Sequence, residues 1–353
     1  MSIALVVPGT LWDQPFVRTY SEFLSKSNVE YDIISWNRDG RDKAEGIQYN
    51  YRQPLNSNRF LKLFGYLRFA QFAKKWINKN NYSKLIIFGP QIGLFIPCLL
   101  KKYAGSYIFD YRDLSIEQMS IFHSTFRKVL ENSYANIISS PGFMRALPAG
   151  YDFLVCHNFN IDMVEATLNR SNGGQWNIGT PIKILTIGGI RDYSSNSEVI
   201  RALANNPNYL IQFVGRGIAA DALKSYCEMN SIKNVEFRGF YHKEEEPNFI
   251  KSASFLNIYY PRKLSHDTAL SNRFYNSLIF KRPMIVTKNT TQGDLAEQYK
   301  VGVAIENCNN ISESLLNFLE NDYLEYSNRC DELLRVLLVE QKSFYNKLTD
   351  FIK

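Results

Sequence analysis

Short apolar runs alternate with amphipathic stretches through the first part of the chain. The runs read "SIALVVPG", "VEYDIISW", "SKLIIFGP", "SYIFDYRD", "ANIISSPG" and "DFLVCHNF". Brief apolar runs bounded by Gly or Pro are typical of buried strands, and the amphipathic stretches between them have helical spacing. Strands that alternate with helices predict an α/β fold built on a doubly wound parallel sheet.

The alternation stops at about 160–180, where "MVEATLNRSNGGQWNIGTP" is polar and rich in glycine, and we expect a linker there. It then restarts with "IKILTIGG", "YLIQFVGRG", "NVEFRGF", "ASFLNIYYP", "PMIVT" and "VGVAIE". The pattern predicts two Rossmann-like domains, 1–165 and 166–335, with a cleft between them and a final helix, 336–353, that returns toward the first domain. Ligands of open parallel sheets bind beyond the carboxyl ends of the strands, so the loops there hold the candidate residues.

Charge is distributed unevenly along the 353 residues, whose net charge is +7. No acidic residue lies between Glu45 and Asp110, whereas this window contains Arg52, Arg59, Lys62, Arg68, Lys74, Lys75, Lys79, Lys84, Lys101 and Lys102. One face of the first domain is therefore predicted to be positive and to attract an anionic partner.

The stretch 59–80, "RFLKLFGYLRFAQFAKKWINKN", combines bases with aromatic and aliphatic residues at helical spacing. A basic helix of this kind is typical of binding to an anionic membrane surface. Its membrane-facing bases are predicted to be Arg59, Lys62, Arg68, Lys74 and Lys75, with two or three of its apolar side chains entering the interface. The alternative is a helix packed on the sheet with solvated lysines. No nucleic-acid motif accompanies the charge, so no nucleic-acid partner is predicted.

Other classes of protein are disfavoured by what the sequence contains. The five cysteines are scattered without a CxxC pair, which favours reduced thiols in a cytosolic protein. The four histidines lack the spacing of metal ligands, so we expect neither a metal nor a cofactor. The first apolar run is too short for a signal peptide, and Gly89, Pro90 and Gln91 interrupt the longest one. A soluble or peripheral protein is expected.

Three arginines follow predicted strands of the second domain, at the junctions with the next helices. They are Arg191 in "TIGGIRDYSSN", Arg216 in "FVGRG" and Arg273 in "SNRFYNSLIF". Glycine lets a ligand approach the backbone, free amides at a helix start favour phosphate, and guanidinium groups bind phosphate oxygens in a forked geometry. Together they suit a diphosphate. The alternative is that the turns are merely tight and some of the arginines are surface charges.

The order of these segments resembles the donor half of a GT-B glycosyltransferase. The second half, from "ILTIGGIRDYSSN" through "LSNRFYNSLIFKRPMIV" to "TQGDLAEQYKVGVAIE", is similar to the retaining family 4, also called glycosyltransferases group 1. In the first half, "FDYRDL", "SYANIISSPGFMRAL" and "HNFNID" resemble the acceptor half of members that build bacterial capsular and other surface polysaccharides.

The resemblance implies roles for particular residues on the donor side. Arg191 and Arg273 would hold the diphosphate of a nucleotide sugar, with the amides of the helix that begins at Asn272 aimed at the phosphates. Phe240 and Tyr241 would flank the nucleobase. Further donor-binding positions are Gly189, Arg216 and Asn276, and Glu297 would be a catalytic carboxylate facing the donor. On the acceptor side the resemblance implies Gly9, Asp110 and Arg112, with Asp113 as a catalytic residue.

Two departures from the family pattern affect these expectations. Thr268 and Asn276 occupy the places where the family commonly has two glutamates, so His266 or Asp267 is predicted to contact the donor sugar instead. The lysine that usually follows the first arginine is also absent, and Ser194, Ser195 and Asn196 stand there. Two alternatives stay open: a nucleotide-sugar epimerase on the same fold, and a catalytically inactive partner of an active transferase.

The function predicted from the sequence is transfer of a sugar from a nucleotide-diphosphate sugar to a lipid-linked saccharide acceptor in bacterial surface polysaccharide assembly. Retention of configuration follows only from the resemblance, whereas metal independence is expected because the histidines lack metal-ligand spacing and no DxD-type motif is present. The expected location is the cytoplasm, peripherally associated with the inner face of the cell membrane.

Overall fold

The apolar runs form the strands of two parallel sheets. The computed structural model describes residues 1–42, 46–54, 57–169 and 179–353, and only the backbone of Arg59. These residues divide into two units, one made of 1–158 together with 340–353 and the other of 159–339. Each unit contains one of the sheets, and each is described separately below.

The first unit has a seven-stranded parallel sheet in the order β3-β2-β1-β4-β5-β6-β7. Its strands are β1 (Ser2–Val7), β2 (Glu30–Trp36), β3 (Ile47–Tyr49), β4 (Lys84–Phe88), β5 (Tyr107–Tyr111), β6 (Ala135–Ile138) and β7 (Phe153–Val155). Its helices are α1 (Val17–Lys26), α2 (Arg59–Asn80), α3 (Pro90–Phe95), α4 (Pro97–Lys102) and α5 (Ser120–Asn132). The edge strand β3 was not predicted, because three half-buried residues carry too little apolar signal.

The core of the first unit lies on both faces of this sheet. On one face α2 packs with Phe69, Ala73 and Ile77, which are buried and spaced so that they share one side of the helix. They meet Trp36 of β2, whose ring stacks 6.1 Å from that of Phe69. The inner side of α2 is therefore fully engaged in the core, which leaves its outer side for solvent or a partner.

The second unit repeats the strand order with a six-stranded parallel sheet, β10-β9-β8-β11-β12-β13. Its strands are β8 (Ile182–Ile187), β9 (Tyr209–Val214), β10 (Val235–Gly239), β11 (Phe255–Ile258), β12 (Met284–Thr287) and β13 (Gly302–Ile305). Its helices are α6 (Ile161–Leu168), α7 (Tyr193–Ala202), α8 (Ala220–Met229), α9 (Glu246–Ser252), α10 (Leu264–Thr268), α11 (Asn272–Ile279), α12 (Thr291–Tyr299), α13 (Ile311–Asn321) and the first part of α14 (Tyr326–Phe351). The end of α14 belongs to the first unit, where Phe344, Leu348 and Phe351 are buried.

The linker expected at about 160–180 is wrong in its first half. Residues 161–168 form α6, whose start is capped by the Asn160 side chain accepting from the Met163 amide at 3.1 Å. Val164 is fully buried in the core of the second unit, and α6 contacts α11. Residues 170–178 of the predicted linker lie outside the described residues.

Candidate functional site

A pocket of about 360 Å³ opens at the carboxyl ends of the strands in the second unit. It is bounded by the turn after β8, the loop after β10 and the segment between β11 and α11. Its lining residues are Ile187, Gly188, Gly189, Arg191, Asp192, Tyr241, Lys243, Glu246, Tyr260, His266, Ala269, Ser271, Asn272, Arg273, Asn276 and Gln292. Carboxyl ends of parallel strands are where ligands of open α/β sheets bind, so this pocket is the candidate functional site.

Two glycine-containing turns, 188–190 and 215–217, lie next to each other at this pocket. Gly188 and Gly215 follow neighbouring strands and both have positive φ, +92° and +133°. A Cβ on Gly215 would lie 2.0 Å from the carbonyl oxygen of Gly188, and one on Gly217 would lie 2.1 Å from that of Ile190. Only glycine permits this close approach of two backbones. The turn at 188–190 is therefore held in place by the turn at 215–217.

Arg273 lies in the first turn of α11 and is 9% exposed. Its guanidinium donates to the main-chain carbonyls of Ile187 at 2.5 Å, Gly189 at 3.0 Å and Asn257 at 3.2 Å. These bonds use three of the five N–H groups of the guanidinium. None of the described carboxylates forms an ion pair with it. A buried cation without a carboxylate is costly, so the site favours an anion.

Further positive groups surround Arg273. Arg191 is exposed at the turn after β8 and lines the same pocket. The start of α11 is capped by Ser271, whose hydroxyl accepts from the Phe274 amide, and both the amide and the hydroxyl of Ser271 donate to Gln292 Oε1. The positive end of the helix dipole thus faces the pocket together with two guanidinium groups, an arrangement that suits phosphate oxygens.

Glu246 is one of the pocket residues that the sequence analysis did not predict. Its carboxylate is 10% exposed and accepts from Lys243 Nζ and Tyr241 Oη at 2.7 Å each and from Asn276 Nδ2 at 2.8 Å. Burial alone would raise the pKa of Glu246, but the hydrogen bonds from Lys243, Tyr241 and Asn276 lower it below the ordinary value. The pocket therefore contains a stably ionised carboxylate beside Asn276, one of the positions where the family glutamate is missing.

A local signal for Glu246 does exist in "HKEEEPNF". Proline is preferred in the first turn of a helix, so the glutamate before Pro247 marks the start of α9. Glu244 and Glu245 are exposed and only Glu246 is buried, a difference that depends on how the loop folds against α11.

His266 also lines the pocket, as the expected contact to the donor sugar requires. Its Nδ1 lies 3.0 Å from the carbonyl oxygen of Pro261, which can only accept, so Nδ1 carries the proton. In the neutral ring Nε2 is then the proton acceptor. Thr268 is buried, and its hydroxyl donates to the Leu264 carbonyl inside α10.

Two predicted catalytic carboxylates do not line this pocket. Asp267 receives two hydrogen bonds from Arg262, at 3.0 and 3.1 Å. Glu297 is exposed on α12 and lies 3.8 Å from Lys288 Nζ in an exposed ion pair. Among the predicted donor-side residues, the pocket brings together Gly189, Arg191, Tyr241, His266, Asn272, Arg273 and Asn276.

Arg216 and Phe240 lie outside the pocket but close to each other. The Arg216 guanidinium is 5.0 Å from the centre of the Phe240 ring, and Phe240 is 59% exposed. Arg216 borders a neighbouring depression of about 430 Å³ together with Gly215, Gly217 and Lys224. An exposed ring next to a guanidinium offers a flat surface on which another ring can stack.

In the first unit, Asp110 cannot line an acceptor site, because it is fully buried. Its carboxylate accepts from Arg112 Nε at 2.6 Å, Arg112 Nη2 at 2.8 Å and Tyr20 Oη at 2.5 Å. Arg112 also donates to the Cys156 carbonyl at 3.2 Å, and its side chain is 8% exposed. Burial, followed by the negative charge of Asp110, raises the pKa of Tyr20. The pair is a structural tie between β5 and its neighbours, which corrects the expected acceptor-side role.

The remaining acceptor-side positions lie on loops after strands of the first unit. Gly9 is in the turn after β1, where a Cβ would lie 2.2 Å from Gln14 Nε2. Asp113 is exposed in the loop after β5. Both stay predictions as acceptor and catalytic residues.

On α2, the basic residues predicted to face a membrane are mostly exposed. Arg68, Lys74 and Lys75 are exposed and Lys62 is partly buried, whereas the side chain of Arg59 lies outside the described residues. In the described part of the chain, no helix is both long and apolar enough to cross a bilayer. Nor do three His, Cys, Asp or Glu side chains group as metal ligands among the described residues.

Comparison with known proteins shows the fold but no family. No protein-family model matches the chain, and no curated protein matches it in sequence. Solved structures match over nearly the whole length: a sucrose-phosphate synthase from Thermosynechococcus elongatus (TM-score 0.70, 16% identity, 99% of both chains), and the lipopolysaccharide outer core galactosyltransferase WaaB in its apo form (TM-score 0.67, 14% identity, 99% of both chains). HepE from Anabaena in complex with UDP also matches (TM-score 0.62, 11% identity, 99% of this chain and 100% of that one).

These matches and the two parallel sheets confirm the predicted fold class, the α/β GT-B fold. At 10–16% identity they carry no further than the fold. What the chain does therefore depends on the chemistry of its own pocket.

Proposed function

We propose that this protein is a glycosyltransferase that takes a sugar from a nucleoside diphosphate sugar. The observation that carries the proposal is Arg273, a buried guanidinium bound to three carbonyls with no described carboxylate as ion-pair partner. Two of its N–H groups remain for a ligand, and Arg191 adds a second guanidinium at the same pocket. A diphosphate leaving group gains negative charge as the glycosidic bond breaks, and fixed cations stabilise that charge.

The other side of the pocket offers groups for sugar hydroxyls. Glu246 is an ionised acceptor, Asn276 presents an amide held by Glu246, and Nε2 of His266 is a proton acceptor in the neutral ring. Acceptors next to a cationic diphosphate site match a nucleotide sugar, whose hydroxyls are adjacent to its phosphates. Among the matches over the whole chain, HepE is in complex with UDP, and two others are a sucrose-phosphate synthase and a galactosyltransferase.

The finer parts of the proposal rest on the family resemblance and on the charge pattern. The acceptor is a lipid-linked saccharide of bacterial surface polysaccharide assembly, the configuration is retained, and no metal takes part. The protein works in the cytoplasm on the inner face of the membrane, where Lys62, Arg68, Lys74 and Lys75 of α2 meet anionic lipid headgroups.

The test is incubation with a panel of nucleotide sugars, with and without a lipid-linked saccharide, followed by chromatography of the nucleotides. A transferase releases free nucleoside diphosphate in an acceptor-dependent manner. An epimerase converts the nucleotide sugar into an isomer, and an inactive partner binds nucleotide by calorimetry without consuming it. Absence of both binding and turnover across the panel contradicts the proposal.

A further inference from the structure

The turn after β1 lies where the first sheet reverses its strand order. The order β3-β2-β1-β4-β5-β6-β7 places β2 and β3 on one side of β1 and the later strands on the other. Ligands of open parallel sheets bind at such a reversal, beyond the carboxyl ends of the strands. The loops after β1 and β4 meet there, because a Cβ on Gly89 would lie 3.4 Å from Cγ of Pro8. The turn after β1 therefore lies where a ligand of the first unit is expected.

Trp12 is the large apolar side chain that this turn exposes. It lies in a single turn of 3-10 helix, Leu11–Asp13, and 74% of its surface is accessible. Leu11 packs against the core of the first unit, whereas the indole contributes to none of the described cores. Exposure of this kind is common for single residues, so the way in which the turn is held decides its meaning.

The main chain of Trp12 is fixed by the loop after β2. The Asp42 carboxylate accepts from the amides of Leu11 at 2.7 Å and Trp12 at 3.1 Å. The amide of Asp42 in turn donates to the Asn37 side chain at 3.2 Å. Asn37 is buried directly after β2, so these bonds connect the turn to the sheet.

The residues on either side of Trp12 are held in the same way. Thr10 Oγ1 donates to Asp39 Oδ1 at 3.0 Å. The Arg41 guanidinium bridges Asp39 and Asp13, with 2.7 Å between Arg41 Nη2 and Asp13 Oδ2. All four residues from 10 to 13 are thus bonded to the loop after β2. A ring on an ordered main chain can bind without a further loss of main-chain freedom, which favours affinity.

The polar groups next to Trp12 suit the hydroxyl groups of a sugar. The side chains of Asp13 and Arg41 are 52% and 49% exposed, so part of their hydrogen-bonding capacity faces solvent. A pyranose ring has an apolar face of C–H groups and a rim of hydroxyl groups. The electron-rich face of an indole attracts the C–H groups, and charged side chains bind the hydroxyls. Trp12 with Asp13 and Arg41 offers both.

The charge of the two loops disfavours an anionic ligand. In the described residues of these loops, 8–16 and 37–42, the carboxylates of Asp13, Asp39 and Asp42 outnumber the guanidinium groups of Arg38 and Arg41. Like charges repel, so a phosphate or an anionic headgroup is disfavoured beside the carboxylates. A neutral saccharide carries no such penalty.

We propose that Trp12 is a stacking subsite for the acceptor saccharide, with one pyranose ring lying on the indole and its hydroxyls bound by Asp13 and Arg41. The inference deepens the proposed function and rests on it only for the identity of the saccharide as the acceptor. The chemical class of the ligand, a neutral pyranoside, rests on the turn itself.

Saturation-transfer NMR with irradiation of the aromatic protein signals tests this subsite directly. The ligands are the methyl glycosides of galactose, glucose, mannose and N-acetylglucosamine, each titrated with and without UDP. The proteins are the wild type, Trp12→Ala and Trp12→Phe. Phe60→Ala is the matched control, because Phe60 is a ring of the same unit that is 85% exposed.

The wild type is expected to transfer saturation to the C–H protons on one face of at least one glycoside. Trp12→Ala should weaken this binding about tenfold, whereas Trp12→Phe retains a ring and should stay within about threefold of the wild type. Phe60→Ala should bind like the wild type. In ¹H–¹⁵N spectra, the indole N–H signal that Trp12→Phe removes belongs to Trp12, and it should shift in the wild type when the glycoside is added.

Calorimetry with UDP reports the donor pocket of each variant separately. Absent UDP binding in a wild type that binds the glycoside contradicts the proposed transferase and leaves the saccharide subsite standing. Three results overturn the subsite: no saturation transfer to any of the glycosides, an unmoved indole signal of Trp12, or equal weakening in Trp12→Ala and Phe60→Ala. Unchanged glycoside binding by Trp12→Ala, with loss of binding to anionic vesicles, also overturns it and assigns the ring to a membrane.

Discussion

Replacement of Arg273 by lysine separates the two roles that the structure gives this residue. The substitution keeps the positive charge at the start of α11 but removes the planar group that donates to Ile187, Gly189 and Asn257. An ammonium group on a shorter chain can keep one of these three bonds. The turn after β8 and the end of β11 then lose a shared donor.

The expected cost can be worked out from the bonds that are lost. A hydrogen bond to a charged group contributes about 1.5–3 kcal/mol, so two lost bonds correspond to about 3–6 kcal/mol. Arg273 is 9% exposed and lines the pocket, so water can reach part of the vacated space and offset some of this loss. We expect Arg273→Lys to lower the free energy of unfolding by about 3 kcal/mol.

The assay is urea unfolding followed by circular dichroism, with calorimetry of UDP and inorganic pyrophosphate on the folded variant. Arg191→Lys is the control, since Arg191 is exposed at the same pocket and no described carboxylate forms an ion pair with it. It is expected to weaken diphosphate binding with little change in stability. A variant Arg273→Lys as stable as the wild type would refute the reasoning about the carbonyls. Lower stability with unchanged pyrophosphate affinity would make Arg273 purely structural.

Three further predictions follow from the buried groups. The folded pKa of Glu246 is lowered, so its charge stabilises the protein above the ordinary carboxyl pKa, and this stabilisation is lost as pH falls through the folded pKa. Glu246→Gln should therefore flatten the decline of the free energy of unfolding below about pH 5. Parallel pH profiles of the variant and the wild type would contradict this. Asp110→Asn leaves buried Arg112 without its carboxylate and should lower the stability of the first unit by about 3–5 kcal/mol in urea unfolding. The UDP affinity of the folded variant should be unchanged if the role of Asp110 is structural. Gly215→Ala should cost about 1–3 kcal/mol and weaken UDP binding, because its Cβ would lie 2.0 Å from the Gly188 oxygen, whereas Gly105→Ala, with positive φ but open space, should leave UDP binding intact.

Much of the fold can be predicted from the sequence because its signals are local. Apolar runs such as "IKILTIGG" are short, flanked by glycine and separated by helical spacing, and the strands form where these runs lie. A parallel sheet buries both faces of its strands, so near-continuous apolar runs are what such strands need. Where the signal was weak the prediction failed: β3 is three residues long, and α6 lies in a stretch whose polar residues face solvent.

For the candidate site, the sequence predicted which loops form it and which cationic side chains lie on them. Gly189, Arg191 and Arg273 lie beyond strand ends, and the tertiary structure places all three at one pocket. The sequence did not predict which carboxylates line the pocket and which are buried against other side chains. Asp110 lies near the end of a strand, as a ligand-binding residue would, yet its carboxylate accepts hydrogen bonds from Arg112 and Tyr20. Tyr20 lies 90 residues away from Asp110 in the sequence. Glu246 looks like one member of an acidic surface run, yet it alone is buried beside Asn276.

The sequence by itself therefore determined the element order, the two sheets and the positions from which cations reach the ligand edge. Only the tertiary structure decided which charges form ion pairs within the protein and which, like Arg273, have no ion-pair partner among the described carboxylates. The physical reason is the distance along the sequence over which each kind of interaction acts. Hydrophobic periodicity and helix starts are set by residues a few positions apart. The partners of a buried charge come from distant parts of the chain, as the carbonyl of Ile187, 86 residues from Arg273, shows.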